Sequence, residues 1–224
     1  YLNDFYDDII KLIRNVFSSA LKGNSYVDFS VMTGVLRVSK ESLFSDLNNV
    51  KVYGIVDDEK YSESFGFTTD ETKELLKYYN LELTEDVKNM YDGYNFCGTE
   101  IYNPWSILNY AEDKKLKEYW VNTSGNELIL NTIMKSSDGI KATIEKLLSG
   151  KSVSFEYDEK ATYLDFKNYN NQDNILNLLF ISGYLTLTDE ISEYGSIKKA
   201  RITNNEVRII FGKLLRQFIR QNME

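Results

Sequence analysis

A chain with one cysteine and no histidine must be held together by burial, capping and hydrogen bonding alone. Cys97 is the single cysteine, so no intrachain disulfide can form, and without further Cys or any His there is no zinc staple. The same counts remove whole classes of chemistry. No Ser-His-Asp or Cys-His relay exists, nor an imidazole general base. Catalysis would rest on Asp, Glu, Lys, Arg, Tyr, Ser or Thr, or on a metal held by oxygen ligands. With 224 residues, 42% of them hydrophobic, the chain can bury the core of one ordinary domain or two small ones.

Lack of disulfides suits a reducing compartment, and a cytoplasmic location is expected. No apolar run approaches the roughly 20 residues that span a bilayer. The opening YLNDFYDD has neither initiator Met nor a basic-then-apolar leader, so the chain reads as part of a longer polypeptide. The net charge of −8 is unevenly placed. Residues 197–224 carry seven basic side chains against Glu206 and Glu224, a net +5, which leaves −13 on the first 196. An acidic body with a basic tail argues against broad electrostatic binding of nucleic acid by the body.

Apolar spacing predicts an amphipathic helix over 4–22, stopped by Gly23. Alternation predicts strands at 26–32 (YVDFSVM) and 50–56 (VKVYGIV), with a short helix from Ser39 to about Leu47 between them. Thr68 and Glu71 form a capping box for a helix carrying Leu75, Leu76 and Tyr79, and Thr84 caps another to about Met90. YDGYNFCGTEIY is a hairpin candidate. Asn103-Pro104 opens a helix whose apolar side is Trp105, Ile107, Leu108 and Ala111. Helices follow near 126–136, 139–149 and 172–182. Short strands are expected within 151–166 (VSFEY, TYLDF). YLTLT and KKARIT form strand–turn–strand, and Asn204 caps a final helix to about 221. Helix, hairpin with a basic second strand, then helix is the order of winged-helix modules.

Four blocks in order, VMTGVLRVSKESLFSDLNNVKVYGI (31–55), FGFTTDETKELLKYY (65–79), MYDGYNFCGTEIYNPWSILNY (90–110) and YWVNTSGNELI (119–129), resemble a bacterial family of predicted AAA-ATPase-like proteins. In that family a P-loop ATPase domain precedes a restriction-endonuclease-like nuclease domain. LLFISGYLTLTD (178–189) and ITNNEVRIIF (202–211) resemble the segment between the two. The resemblance implies a mostly helical α/β chain. Residues 1–125 would be the C-terminal part of the ATPase domain with its helical lid, and 126–224 a winged-helix-like module. It implies ATP and Mg for the parent protein. The partners implied are the ATPase segment expected before Tyr1 and the nuclease-like domain expected after Glu224.

The chain departs from that family in lacking its phosphate grip. A P-loop needs Gly-x-x-x-x-Gly-Lys-Ser/Thr, because the glycines let backbone N–H groups wrap the phosphates. Gly150-Lys151-Ser152 has Glu145 where the first Gly belongs, and Gly212-Lys213 is followed by Leu214. No catalytic residue is therefore assigned, and this chain alone is expected not to be an ATPase.

Thr33 and Arg37 are the nucleotide-sensing candidates. A polar residue at the carboxyl end of a P-loop strand can face the γ-phosphate, and Arg37 could neutralise its charge. The alternative is a loop Thr and an Arg in a structural ion pair. Asp92-Gly93-Tyr94-Asn95 reads as a ligand edge or hinge, or more simply as a turn. Trp105 and Trp120 read as an aromatic recognition surface, or, for Trp105 on its apolar helix face, more simply as core. Four acidic-x-Lys tripeptides fit a nuclease pattern only in their letters.

Lys198, Lys199 and Arg201 on the hairpin, with Arg208, Arg216 and Arg220 on the last helix, are candidates for binding DNA. Their other reading is a solvated face, or one docked on the acidic body.

Overall fold

The computed structural model describes residues 5–34, 51–56, 58–120, 129, 133, 136–159, 171–188 and 196–221. The protein is mixed α/β, with a 3-10 turn at Glu59–Tyr61 and, bounded among the described residues, seven α-helices and two small antiparallel sheets. In chain order these are α1 (Tyr6–Leu21), β1 (Phe67–Thr68), α2 (Thr69–Tyr78), α3 (Glu85–Tyr91), β2 (Tyr94–Phe96), β3 (Thr99–Tyr102), α4 (Pro104–Asp113), α5 (Asp138–Leu148), β4 (Val153–Glu156), α6 (Gln172–Ile181), β5 (Leu185–Leu187), β6 (Ile197–Ile202) and α7 (Asn205–Gln221).

Helix starts follow the local chemistry closely. The Thr68 hydroxyl accepts from Glu71 N (3.3 Å), and the Glu71 carboxylate accepts from Thr68 N (2.9 Å), so the capping box is complete. The Thr84 hydroxyl accepts from Val87 N, and Asn103 Oδ1 from Trp105 N with Pro104 at the first helical position. Asn204 Oδ1 accepts from Val207 N and starts α7.

Three helices end alike. At α2, α5 and α6 the two residues beyond the last turn donate back, as in Gly150 N to Leu147 O and Lys151 N to Lys146 O. Asn80 and Gly150 both hold the positive φ that this ending needs.

The first sheet has the order β1-β3-β2. Tyr94, Asn95 and Phe96 pair with Ile101, Glu100 and Thr99 across a tight Cys97-Gly98 turn, both of whose residues have positive φ. The expected hairpin is formed. The second sheet has the order β4-β6-β5, so the basic strand β6 is central rather than an edge.

Each sheet has its own apolar core. The first collects Leu76, Val87, Tyr91, Tyr102, Ile107 and Ala111, with Tyr119 packed against it. The second collects Ile129, Ile133, Ile144, Leu147, Phe155, Leu176, Leu179, Tyr184, Ile202 and Phe211, with Trp120 packed against it. Tyr119 and Trp120 are neighbours in sequence, so the chain passes from the first core to the second at one peptide bond, while Ile55 and Val56 pack back against the second. The cores are rejoined in space where α3 packs on α7 and β2 on β5.

Two expected strands are not formed. Residues 22–34 and 51–54 run irregularly, and Tyr26 and Phe29 are 96% and 80% exposed. A strand requires a neighbour's hydrogen bonds, and none of the described strands pairs with either segment. The expected short helix from Ser39 lies outside the described residues, as does TYLDF.

Helix α1 forms with its apolar stripe uncovered: Phe5, Ile9, Leu12 and Val16 are all exposed. Trp105 also departs from expectation, at 61% exposed. Helix α4 buries Ser106, Ile107, Tyr110 and Ala111, a stripe that turns Trp105 and Leu108 outward, and the Trp105 indole N–H donates to Tyr119 O (3.0 Å).

Thr68→Ala removes one side of the capping box without disturbing a core. It is expected to cost about 1 kcal/mol and lower the thermal midpoint by about 2–4 °C, measurable by circular dichroism. An unchanged midpoint would show that packing of α2 alone fixes its start.

Candidate functional site

The sequence candidates do not converge on one place. Thr33 is exposed in the irregular stretch 22–34, so it does not sit at the end of a strand, and Arg37 lies outside the described residues. On β6 the side chains alternate. Lys198 shares the face of buried Ala200 and Ile202, while Lys199 and exposed Arg201 point the other way. The wing cations are thus divided between two faces.

On α7, Arg208, Arg216 and Arg220 are exposed and fall within a sector of roughly 120° at 100° per residue. Two basic residues of this helix face the protein itself. The Arg208 guanidinium lies over the end of α5, where a Cβ on Gly150 would stand 3.6 Å from both terminal nitrogens. That is the negative end of the α5 dipole. Lys213 is ion-paired with Glu118, whose carboxyl is held below its usual range chiefly by that hydrogen bond.

The Gly150-Lys151-Ser152 letters belong to a helix C-terminus. The amides of Gly150 and Lys151 are spent on α5's last carbonyls, and Arg208 answers the local partial negative charge. A phosphate cradle needs the opposite end of a helix, with its amides open. These residues therefore do not fit ATP, and Gly212-Lys213 lies inside α7.

Three of the acidic-x-Lys tripeptides hold residues with structural roles, and Lys160 of the fourth lies outside the described residues. Glu71 caps α2, Asp58 Oδ2 accepts from Gly54 N (2.7 Å), and Lys114 ends α4 in a left-handed conformation. Among the described residues no group of three Asp, Glu, Cys or His side chains could hold a metal ion. A shallow cleft of about 410 Å³ between residues 59–64 and the Cys97 turn is lined by Glu59, Glu63 and Lys60 with small polar groups. Lys60 lies over the Tyr53 and Tyr61 rings rather than into a site.

The most elaborate constellation is the join between the two cores. Glu206, 1% exposed in the first turn of α7, accepts three hydrogen bonds. Its Oε1 accepts from Tyr119 N (2.7 Å) and Trp120 N (2.9 Å), and its Oε2 from the Ser106 hydroxyl on α4 (2.8 Å). Burial raises its pKa above the ordinary carboxylate range, and the three donors offset only part of that.

Around this carboxylate the Asp92-Gly93-Tyr94 turn meets the start of α7. Asp92 accepts from Gly93 N (2.6 Å) and from the Tyr102 hydroxyl (3.1 Å), and burial raises its pKa too. Trp120 and Tyr184 stack at 5.1 Å, and burial pushes the Tyr184 hydroxyl up to about 12.

The sequence pointed at Asp92, Gly93 and Trp120 but missed Ser106 and Glu206. An acidic residue in a helix's first turn reads as a dipole partner. No local pattern marks one whose donors lie 86 to 100 residues away.

No helix of the described residues is long and apolar enough to cross a membrane. No family model matches the chain, and no solved structure matches it. It is similar to an uncharacterized protein in the vnfD 5' region of Azotobacter chroococcum mcd 1, 26% identical over 208 residues. That match covers 91% of this chain and 37% of the relative, so the chain spans just over a third of that protein's length.

Gly93 has φ +115°, and a Cβ there would sit 2.1 Å from Thr203 O. Gly98 has φ +85° with nothing within 4 Å. Gly93→Ala is therefore expected to cost about 3 kcal/mol or more, and Gly98→Ala only about 1 kcal/mol of backbone strain. Urea unfolding of both variants checks this, and equal losses would show that the turn and α7 are not tightly apposed.

Proposed function

We propose that this chain is the middle portion of an AAA-ATPase-like protein, non-catalytic by itself. In this reading residues 1–125 complete a P-loop ATPase domain and its helical lid. Residues 126–224 form a winged-helix-like module, through which nucleotide state is passed to a following nuclease-like domain. Thr33 and Arg37 would sense the nucleotide, and ATP and Mg would be gripped by residues of the parent outside this chain.

The observation that carries the reading is the uncovered apolar surface of residues 5–34. Phe5, Ile9, Leu12 and Val16 on α1, followed by Tyr26, Phe29, Val31 and Met32, are exposed together, and 26–32 has the alternation of a strand, with which none of the described strands pairs. Such a segment is stable once further strands complete its sheet. The greater length of the Azotobacter relative supports the same reading. The order α6, β5, β6, α7 supports the winged-helix part.

The second reading is an interaction module that binds DNA or an acidic protein through Lys198, Lys199, Arg201, Arg208, Arg216 and Arg220. Exposed Arg201, Arg216 and Arg220 favour it. Against it, Arg208 and Lys213 face the protein's own α5 and Glu118. Helix α6, which precedes the hairpin, is largely buried and carries no Lys or Arg, so it offers the DNA backbone no cation.

Purified chain incubated with ATP and Mg²⁺ is expected to show no turnover above background in a phosphate-release assay. Turnover abolished by Thr33→Ala would overturn the first reading. Fluorescence anisotropy against duplex DNA at low salt separates the two: a flat titration is expected. Binding lost on charge reversal of Arg201, Arg216 and Arg220 would establish the second reading instead.

A further inference from the structure

We propose that α1 pairs antiparallel with α1 of a second copy of this chain, about a two-fold axis that crosses the helix between residues 10 and 11. The proposal goes beyond the reading above and does not depend on it. The pairing uses α1 alone and leaves residues 26–32 to the strands invoked there.

The apolar stripe of α1 is its own complement. Phe5, Ile9, Leu12 and Val16 follow one another at spacings of 4, 3 and 4, the seam of a heptad pattern. At 100° per residue they lie within a sector of about 60°. All four are more than half exposed. The half-buried residues Ile13, Phe17 and Leu21 lie on another side of the helix, so the stripe is turned outward. Reversed about the point between residues 10 and 11, the stripe sets Phe5 level with Val16 and Ile9 level with Leu12. Every apolar side chain of the seam then meets another, as an isologous contact requires.

Charge has the same centre. Residues 1–10 carry three acidic side chains and no basic one, whereas residues 11–22 carry Lys11, Arg14 and Lys22 and no acidic one. An antiparallel pair lays each acidic half along a basic half, and a parallel pair would set like against like. The helix dipoles are also opposed in the antiparallel arrangement. An acidic start and a basic end suit the dipole of a single helix too. That alone does not require the sign to change at the midpoint of the apolar stripe, where it does change.

Area sets the strength of the pair. At about 100 Å² for each half-exposed apolar side chain, the stripe offers roughly 400 Å² per copy and about 800 Å² in all. This lies below the roughly 1,200 Å² at which stable interfaces begin, so the two copies associate and part readily, with half in the dimer at a concentration on the order of 100 µM.

The test is sedimentation equilibrium on the full 224-residue chain, from about 5 to about 500 µM. The mass is expected to climb from 26.1 kDa towards twice that value. Leu12→Glu sets a carboxylate in both central layers of the seam and is expected to weaken association at least about tenfold. A constant 26.1 kDa throughout, the result if only further segments of a longer parent cover α1, would overturn the proposal. So would a dimer that Leu12→Glu leaves intact. A second measurement reads the orientation and does not need that variant to fold. Ile9→Cys and Leu12→Cys proteins, each also carrying Cys97→Ser, are mixed and oxidised, and the disulfides are identified by tryptic peptide mass. Links between positions 9 and 12 are expected to outnumber the 9–9 and 12–12 links together, and no such excess also overturns the proposal. The phosphate-release and anisotropy results are independent of either outcome.

Discussion

One buried carboxylate ties the last helix to the point where the described chain passes from the first core to the second. The Glu206 bonds to Ser106, Tyr119 and Trp120 satisfy three donors that would otherwise be orphaned in a dry interface. Around them stand the close approach of Gly93 to Thr203 and the Trp120–Tyr184 ring contact. Apolar burial builds each core separately. It is the polar contact that fixes how one is turned on the other, because apolar surfaces are indifferent to small rotations and hydrogen bonds are not.

The parts of the fold legible in the sequence are those decided within four or five residues. Thr68 with Glu71, Asn103 with Pro104, and Asn204 each mark a helix start, because the donor and acceptor that cap it are local. The Cys97-Gly98 turn is legible for the same reason. The alternation of YVDFSVM has the strand's period, yet period states only which faces a strand would have. Pairing depends on another segment, and none of the described strands supplies it. Trp105 was misread on an apolar helix because one turn has room for two apolar stripes, and packing selected the one through Ile107 and Ala111.

The basic tail illustrates how charge in sequence and charge in space differ. As a string, seven cations close together suggest a surface for phosphate. Folded, they are dispersed: β6 sends Lys198 to one face and Arg201 to the other, Arg208 covers the end of α5, and Lys213 is held by Glu118. The tail's positive charge is in part consumed at home, against the acidic body that the same chain provides. The Gly-Lys-Ser letters at 150–152 make a parallel point, since three residues that would bind an anion before a helix close the carbonyl end of one after it.

The sharing of one carboxylate oxygen by two successive amides has a consequence for how this protein can vary. An oxygen that faces both Tyr119 N and Trp120 N tolerates changes in either side chain, since it touches only backbone. It does not tolerate a change in count. One residue inserted or deleted between Pro104 and Trp120 would carry the wrong pair of N–H groups past Glu206, so this stretch of polypeptide has a length to preserve as well as the Tyr119 and Trp120 rings that pack on the two cores.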